Sequence, residues 1–287
     1  MARKSDTELK LANAFIESRF TLEAMEIKLL YAIAYKLQRG DSGLNIIDLS
    51  KSLDDNAIYY SANEMADFLG ISKNSYKHFY RICNSLMSKN ITLKNDTSQK
   101  FKILSFLIEA EYENGILKLV PNPYTKQFYM NLVDNYTRLE LMQVLQLKST
   151  YAIRIYSFIK KKAQQNRNAC LFKLDEFKNM LGLEKLYSGK YGNNDFRRRV
   201  LLPAMEELNK VIPNLCFDFD LIKIGKSYKQ VRFTFNGDAL VYRVVDDDLY
   251  FKTFDKFRNQ CNIGQYCNAD ESPECRYCKL KIKNRYE

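Results

Sequence analysis

Histidine is almost missing from this chain: His78 is the only one in 287 residues, and there is no tryptophan. One imidazole rules out metal centres built on paired histidines. Nickases that join a tyrosine to a metal held by two histidines fall for the same reason, although 20 tyrosines are present. Nothing else in the chain resembles an activated nucleophile with a base and an orienting group. No apolar run approaches the roughly 20 residues a membrane span needs. Met1-Ala2-Arg3-Lys4-Ser5-Asp6 has charge without an apolar stretch behind it. No signal peptide is therefore expected, and the compartment is read as cytoplasmic, with no membrane partner.

Acid is the scarcer charge. Lys and Arg number 45 against 34 Asp and Glu, for a formal net charge of +11. That excess favours a polyanionic partner, nucleic acid first. A hydrophobic share of 46% is too high for a disordered chain, and the length suits two ordinary domains. Of seven cysteines, Cys83, Cys170 and Cys216 lie singly in apolar-patterned segments and are expected in the core.

Residues 1–20 are charged and then amphipathic, with Leu9, Leu11, Ala12 and Phe15 at helical spacing. Thr21 is placed to cap a helix carrying Met25, Leu29, Ala32 and Ile33 on one face, broken at Gly40-Asp41-Ser42-Gly43. Ile58-Tyr59-Tyr60 reads as a strand. Ser61-Ala62-Asn63-Glu64 is a capping box whose helix ends at Gly70. A longer helix spans Lys73 to Lys89. Strands follow at Ile91 to Leu93, Phe101 to Tyr112 and Ile116 to Val120, the last two joined at Glu113-Asn114-Gly115. A partly helical bridge, 124–147, leads to an amphipathic helix over Tyr151 to Ile159. From Leu171 to Phe235 come a short strand, a helix, a turn, a second helix, and two strands joined at Gly225-Lys226-Ser227.

The halves repeat. Tyr31-Ala32-Ile33 matches Tyr151-Ala152-Ile153, and Glu64 to Ile71 matches Glu176 to Leu183 with Leu-Gly at the turn. Glycine there permits the left-handed backbone of a helix end. The expected fold is α+β: tandem winged-helix (helix-turn-helix) domains in a pseudo-two-fold internal repeat. The domains are set at 1–123, a bridge at 124–147, 148–238, and a C-terminal extension at 239–287.

In a helix-turn-helix the second helix enters the major groove. On a wheel of about 100° per residue, Phe196, Val200, Ala204 and Leu208 share one side, Arg198 points away from it and Arg197 flanks it. Arginine pairs two donors with guanine O6 and N7, so these two are candidate base readers. Arg199 lies nearer the core edge, within reach of phosphate. Asn194 would cap the helix, Pro203 would kink it or open a new turn, and Lys190 and Tyr191 precede it. In the hairpin Lys223, Lys226, Lys229 and Arg232 alternate with Ile222, Ile224, Val231 and Phe233. The basic set is therefore expected outward and the apolar set inward, with Lys226 and Lys229 as backbone contacts. In the first half Lys73, Asn74, Lys77 and Arg81 share the outer face. That surface is a weaker reader, or else a self-association surface, and His78 is an edge residue.

Gly225-Lys226-Ser227 ends like a nucleotide-binding loop. That loop needs glycine at position 220, where Asp220 stands, and a following helix rather than a strand. Asp246-Asp247-Asp248 reads as a solvated linker. No catalysis is expected.

Tyr151 to Tyr156, the Leu174 to Leu183 helix, and Asp195-Phe196-Arg197-Arg198-Arg199-Val200-Leu201 with Pro203-Ala204 and Glu207-Leu208-Asn209 resemble the signature of the initiator replication proteins of iteron-type, theta-replicating plasmids. The resemblance implies two winged-helix domains that bind direct repeats of an origin as a monomer. It implies dimers that bind an operator inverted repeat, opening of adjacent AT-rich DNA, and recruitment of a host initiator and replicative helicase. It makes Arg197 and Arg198 base contacts of the second domain, and Lys73, Asn74 and Lys77 those of the first. The Thr21 to Leu37 helix and its neighbours would carry the dimer-to-monomer switch. The alternative is a winged-helix transcriptional repressor with no replication role. Direct repeats beside the gene would favour the initiator, and a lone palindrome the repressor.

The extension departs from that family. Cys261, Cys267, Cys275 and Cys278 are spaced C-x5-C, C-x7-C and C-x2-C. Four thiolates suit structural zinc; an iron–sulfur cluster and unligated thiols are the other readings. DNA binding itself would need no cofactor. Elemental analysis of protein purified without chelator is expected to find close to one zinc per chain, and a metal-free preparation would exclude the site.

Overall fold

The structure, a computed structural model, describes residues 8–39, 57–72, 76–95, 99–130, 132–165, 167–183, 185–187 and 192–240. All of these fall in one compact unit, Met1–Tyr242. Cys261, Cys267, Cys275, Cys278 and Asp246 to Asp248 lie outside the described residues, as do Lys73, Asn74, Lys190 and Tyr191.

The first half runs β1 (Glu8–Ala12), α1 (Asn13–Glu17), α2 (Ala24–Arg39), β2 (Ile58–Ser61), α3 (Ala62–Leu69), α4 (Tyr76–Met87), β3 (Asn90–Asn95), β4 (Lys100–Ser105), β5 (Leu107–Glu113) and β6 (Ile116–Pro121). The second runs β7 (Tyr136–Glu140), α5 (Leu141–Gln146), α6 (Thr150–Ala163), β8 (Ala169–Lys173) and α7 (Leu174–Met180), then a reading helix and a hairpin. That helix is α8 (Gly192–Phe196), a π turn (Arg197–Leu201) and α9 (Leu202–Val211). The hairpin is β9 (Asp218–Ile224) and β10 (Ser227–Thr234). Each half is strand, short helix, long helix, strand, helix, reading helix, hairpin. The first half adds the ribbon β3–β4 before its hairpin.

The three-stranded sheets match, with orders β2-β6-β5 and β8-β10-β9. The repeat axis is visible where β1 pairs antiparallel with β7, Leu9 opposite Leu139 and Leu11 opposite Thr137. Leu9 and Leu11, expected on a helix, are therefore strand residues. The two-residue alternation with Glu8 and Lys10 sends both leucines inward.

Local chemistry accounts for most element ends. The Ser61 hydroxyl accepts the Glu64 amide at 3.1 Å and the Glu64 carboxylate accepts the Ser61 amide at 3.4 Å. Gly70 at φ +68° and Gly182 at φ +71° close α3 and α7 in the left-handed conformation. The α2 helix starts after Glu23 rather than at Thr21, because the Glu26 carboxylate takes the Glu23 amide at 2.6 Å. The long strand expected over Phe101 to Tyr112 breaks at Phe106, whose buried ring turns the chain from β4 into β5. Cys83 and Cys170 are buried, but Cys216 is exposed, at a left-handed turn with φ +49°.

One continuous apolar core crosses both halves, and α6 is its pillar. That helix is buried on nearly every side, Ala152 to Lys160 without a break, rather than amphipathic as its first turns suggest. Ser149 caps its start, and the Glu207 carboxylate, reaching over from α9, accepts the Ser149 amide at 3.1 Å. Lys160 to Lys162 lie in its last turn, where cations suit the helix dipole.

Arg154 joins the halves through α6. Its Nη2 donates to the Ser18 carbonyl at 2.8 Å and the Met180 carbonyl at 3.0 Å. The guanidinium lies 3.8 Å from the Phe20 ring centroid, and burial brings its pKa down to about 10. Around it, Lys28 of α2 donates to the Leu145 carbonyl at 2.7 Å and Lys161 pairs with Glu17 at 2.5 Å. Gly182 also sits against the first half: a Cβ there would meet Thr21 Cγ2 at 2.5 Å. No helix among the described residues is long and apolar enough to cross a membrane. Arg154→Ala orphans two buried carbonyls and is expected to lower unfolding free energy by about 2–5 kcal/mol, read from urea denaturation. A loss under about 1 kcal/mol would show that the halves are held by packing alone.

Candidate nucleic-acid interface

The second reading helix is fixed at both ends. At its start, Lys178 of α7 is buried, and its Nζ donates to the Tyr187 carbonyl at 2.9 Å and Asn193 Oδ1 at 2.7 Å. Burial pushes this ammonium below the ordinary lysine pKa, with Asp175 pulling the other way. Gly192 lies so close to the Tyr187 backbone that no Cβ fits. The helix therefore opens at Gly192, two residues before Asn194, which sits exposed in the first turn and is not the cap. At its far end Glu207 is tied back to α6.

Between these anchors the helix carries its basic face. Pro203 has no N–H for the usual bond to the carbonyl four residues back, and the preceding turn widens to the π form over Arg197–Leu201. The wider turn accommodates three consecutive outward residues between buried Phe196 and buried Val200. Arg199, expected near the core edge, is instead 64% exposed, alongside Arg198 at 69%. Asp195 Oδ1 accepts Arg198 Nη2 at 3.0 Å and lies 3.8 Å from Arg199 Nε. This exposed i,i+3 pair gives the Arg198 guanidinium a carboxylate partner on its own helix. Arg197 reaches toward the hairpin, 5.9 Å from the Phe219 ring centroid.

The second hairpin is basic on its exposed side. Lys223, Lys226, Lys229 and Arg232 are all exposed. Arg232 is neutralised by Asp220 at 2.8 Å across the strands, while Lys226 and Lys229 have no carboxylate partner among the described residues. Val231 and Phe233 point into the core as expected. Ile222 and Ile224 do not: in β9 they alternate with buried Phe219 and fall on the side of Asp220, so Ile222 is only partly buried and Ile224 is 58% exposed at the tip.

In the first half α4 buries Phe79, Ile82, Cys83 and Leu86 and exposes Lys77, Arg81 and His78. Its hairpin has the opposite charge from the second. Glu109, Glu111 and Glu113 alternate along β5, answered by Lys118 at 2.8 Å from Glu109 and 3.8 Å from Glu111. The expected residues Lys77 and Arg81 are both exposed one turn apart on α4, Arg197, Arg198 and Arg199 are exposed on the π turn, and Lys226 and Lys229 are exposed on the hairpin, toward which Arg197 reaches. Sequence reasoning missed Lys178, Glu207, Asp195 and two exposed tyrosines of α4, Tyr76 and Tyr80. Lys178 had a signal: it occupies a position in the Leu174, Phe177, Leu181 stripe.

The family description "Initiator Replication protein, WH1" matches residues 8–160, and "Initiator Rep protein, WH2" matches residues 173–235. A replication initiation protein of Escherichia coli is 25% identical over 207 residues, covering 69% of this chain and 60% of that protein. This chain thus spans less than two thirds of that relative. A replication protein of Bifidobacterium longum (strain NCC 2705) is 25% identical over 213 residues, covering 64% of this chain and 67% of the relative. Among solved structures, the Pi initiator protein in complex with iteron DNA superposes with a TM-score of 0.61 at 19% identity. It covers 81% of this chain and 98% of its own, a likeness of fold.

Proposed function

The chain belongs to the family of initiator replication proteins with two winged-helix domains, and from this premise we propose that it binds the repeated sequences of a plasmid replication origin as duplex DNA. The observation that carries the reading is the construction of two helix-turn-helix units on one core, each turning a basic helix face outward. The family relatives described as replication initiators and the fold shared with an initiator solved on iteron DNA support it.

Two reading helices on one chain suit a site of about two duplex turns, roughly 20 base pairs. Arg198 pairs with guanine O6 and N7, exchanging Asp195 for the base. Arg197 and Arg199 flank it. Lys226 and Lys229, without carboxylate partners among the described residues, hold phosphates and set register. In the first half Lys77 and Arg81 do the corresponding work. Several copies on adjacent repeats would strain and open neighbouring AT-rich DNA and gather the host initiator and helicase in the cytoplasm. A dimer would occupy an operator inverted repeat. The chemistry is binding and deformation of DNA, with no bond made or broken by this chain.

Arg198→Ala is expected to cost on the order of 1–3 kcal/mol of affinity for the cognate repeat and relax preference at one base position. Unchanged affinity in a titration of that repeat would remove Arg198 from the reading face. Lys226→Ala is expected to weaken all sequences alike and to lower the slope of log K against log salt by about one. A loss confined to one base position would contradict a phosphate contact.

A further inference from the structure

The two reading helices offer different chemistry to a groove. The second presents three arginines and a carboxylate. The first, Tyr-Lys-His-Phe-Tyr-Arg-Ile-Cys-Asn-Ser-Leu-Met, contains no acid and exposes two aromatic rings beside its cations. Tyr76 is 56% and Tyr80 64% exposed, one helical turn apart on the side that also carries Lys77. Tyr76 is fixed by Tyr112, ring centroids 5.5 Å apart, and Tyr112 in turn by Phe79 at 5.8 Å. Tyr80 has no partner among the described residues. The first hairpin gives phosphate little to hold, because its exposed strand carries three glutamates and its one lysine is engaged by two of them. Lys100 and Lys102 are exposed on β4 and can hold phosphate, but phosphate contacts carry no sequence information, so discrimination by the first half rests on the α4 face itself.

Base edges sort these surfaces. In the major groove thymine alone displays a methyl group, which apolar and aromatic side chains contact, whereas guanine is the partner of arginine. We infer that α4 reads thymine: Tyr80, with Tyr76 beside it, packs against thymine 5-methyl groups, while Arg198 reads guanine. Each binding site then has a thymine-bearing half under α4 and a guanine-bearing half under the π turn of the second reading helix. The inference rests on the reading that both helices enter the major groove. Tyrosine suits the task because its ring has only two rotatable bonds to immobilise, and Tyr112 has already ordered its neighbour.

The test uses the full chain and duplexes of roughly 20 base pairs that it selects from a random library. Base positions whose effect vanishes in Arg197→Ala, Arg198→Ala or Arg199→Ala mark the half under the second reading helix; the remainder is the α4 half. Replacing thymine by deoxyuridine in the α4 half is expected to weaken binding roughly fourfold for each methyl lost from contact. The penalty is expected to disappear in Tyr80→Ala and to persist in Tyr80→Phe. Uracil tolerated by the native chain, or a penalty that survives in Tyr76→Ala with Tyr80→Ala, overturns the thymine assignment. Lys77→Ala and Arg81→Ala separate the two failures. If both leave affinity unchanged, α4 is off the DNA and the reading falls with the inference. If they weaken binding while uracil is tolerated, only the inference falls.

Discussion

A charged group with two backbone carbonyls as its hydrogen-bond acceptors holds this structure in one arrangement. The Arg154 guanidinium is sunk in the shared core, where an unsatisfied charge costs several kcal/mol. Its Nη2 finds both of its acceptors only when the carbonyls of Ser18 and Met180, one from each half, converge on it, while Nε stays buried without a hydrogen-bond partner. Backbone carbonyls cannot rotate away as a carboxylate side chain can, so the contact specifies position as well as proximity. Lys28 repeats the device on a smaller scale at the Leu145 carbonyl. These anchors fix the two halves against one another on their common core.

The same scaffold carries two dissimilar surfaces. Both halves use a Leu-Gly turn, a buried helix stripe and a three-stranded sheet. One hairpin is basic and the other acidic, and one helix is arginine-rich where the other is aromatic. Packing constrains the inward positions of a repeat alike, while the outward ones are free to diverge. The tie between Glu207 and the start of α6 shows how closely the two demands are interlaced. A residue two positions past Met205 on the reading helix caps the pillar that positions the other half.

Much of this was legible in the sequence. The capping box at Ser61, the glycine turns at Gly70 and Gly182, the repeat, and the burial of Phe196, Val200, Ala204 and Leu208 all follow from local spacing. What was not legible depended on distant partners. Leu9 and Leu11 fit either a helix or a strand until β7 is brought alongside. The exposure of Arg199 needed the π turn that Pro203 imposes, which a regular wheel cannot show. The roles of Lys178 and Glu207 depend on acceptors and donors that lie on other elements, which local spacing does not display.

The β1–β7 ladder also bears on how the molecule comes into being. Glu8 to Ala12 leave the ribosome first among the described residues, yet their hydrogen-bonding partners, Tyr136 to Glu140, emerge more than a hundred residues later. At the usual pace of synthesis that interval is on the order of ten seconds. Throughout it, β1 lacks its antiparallel partner. The strand Glu8–Ala12 is thus a clasp closed by the second repeat, and until then its backbone edge is of the kind through which separate chains pair.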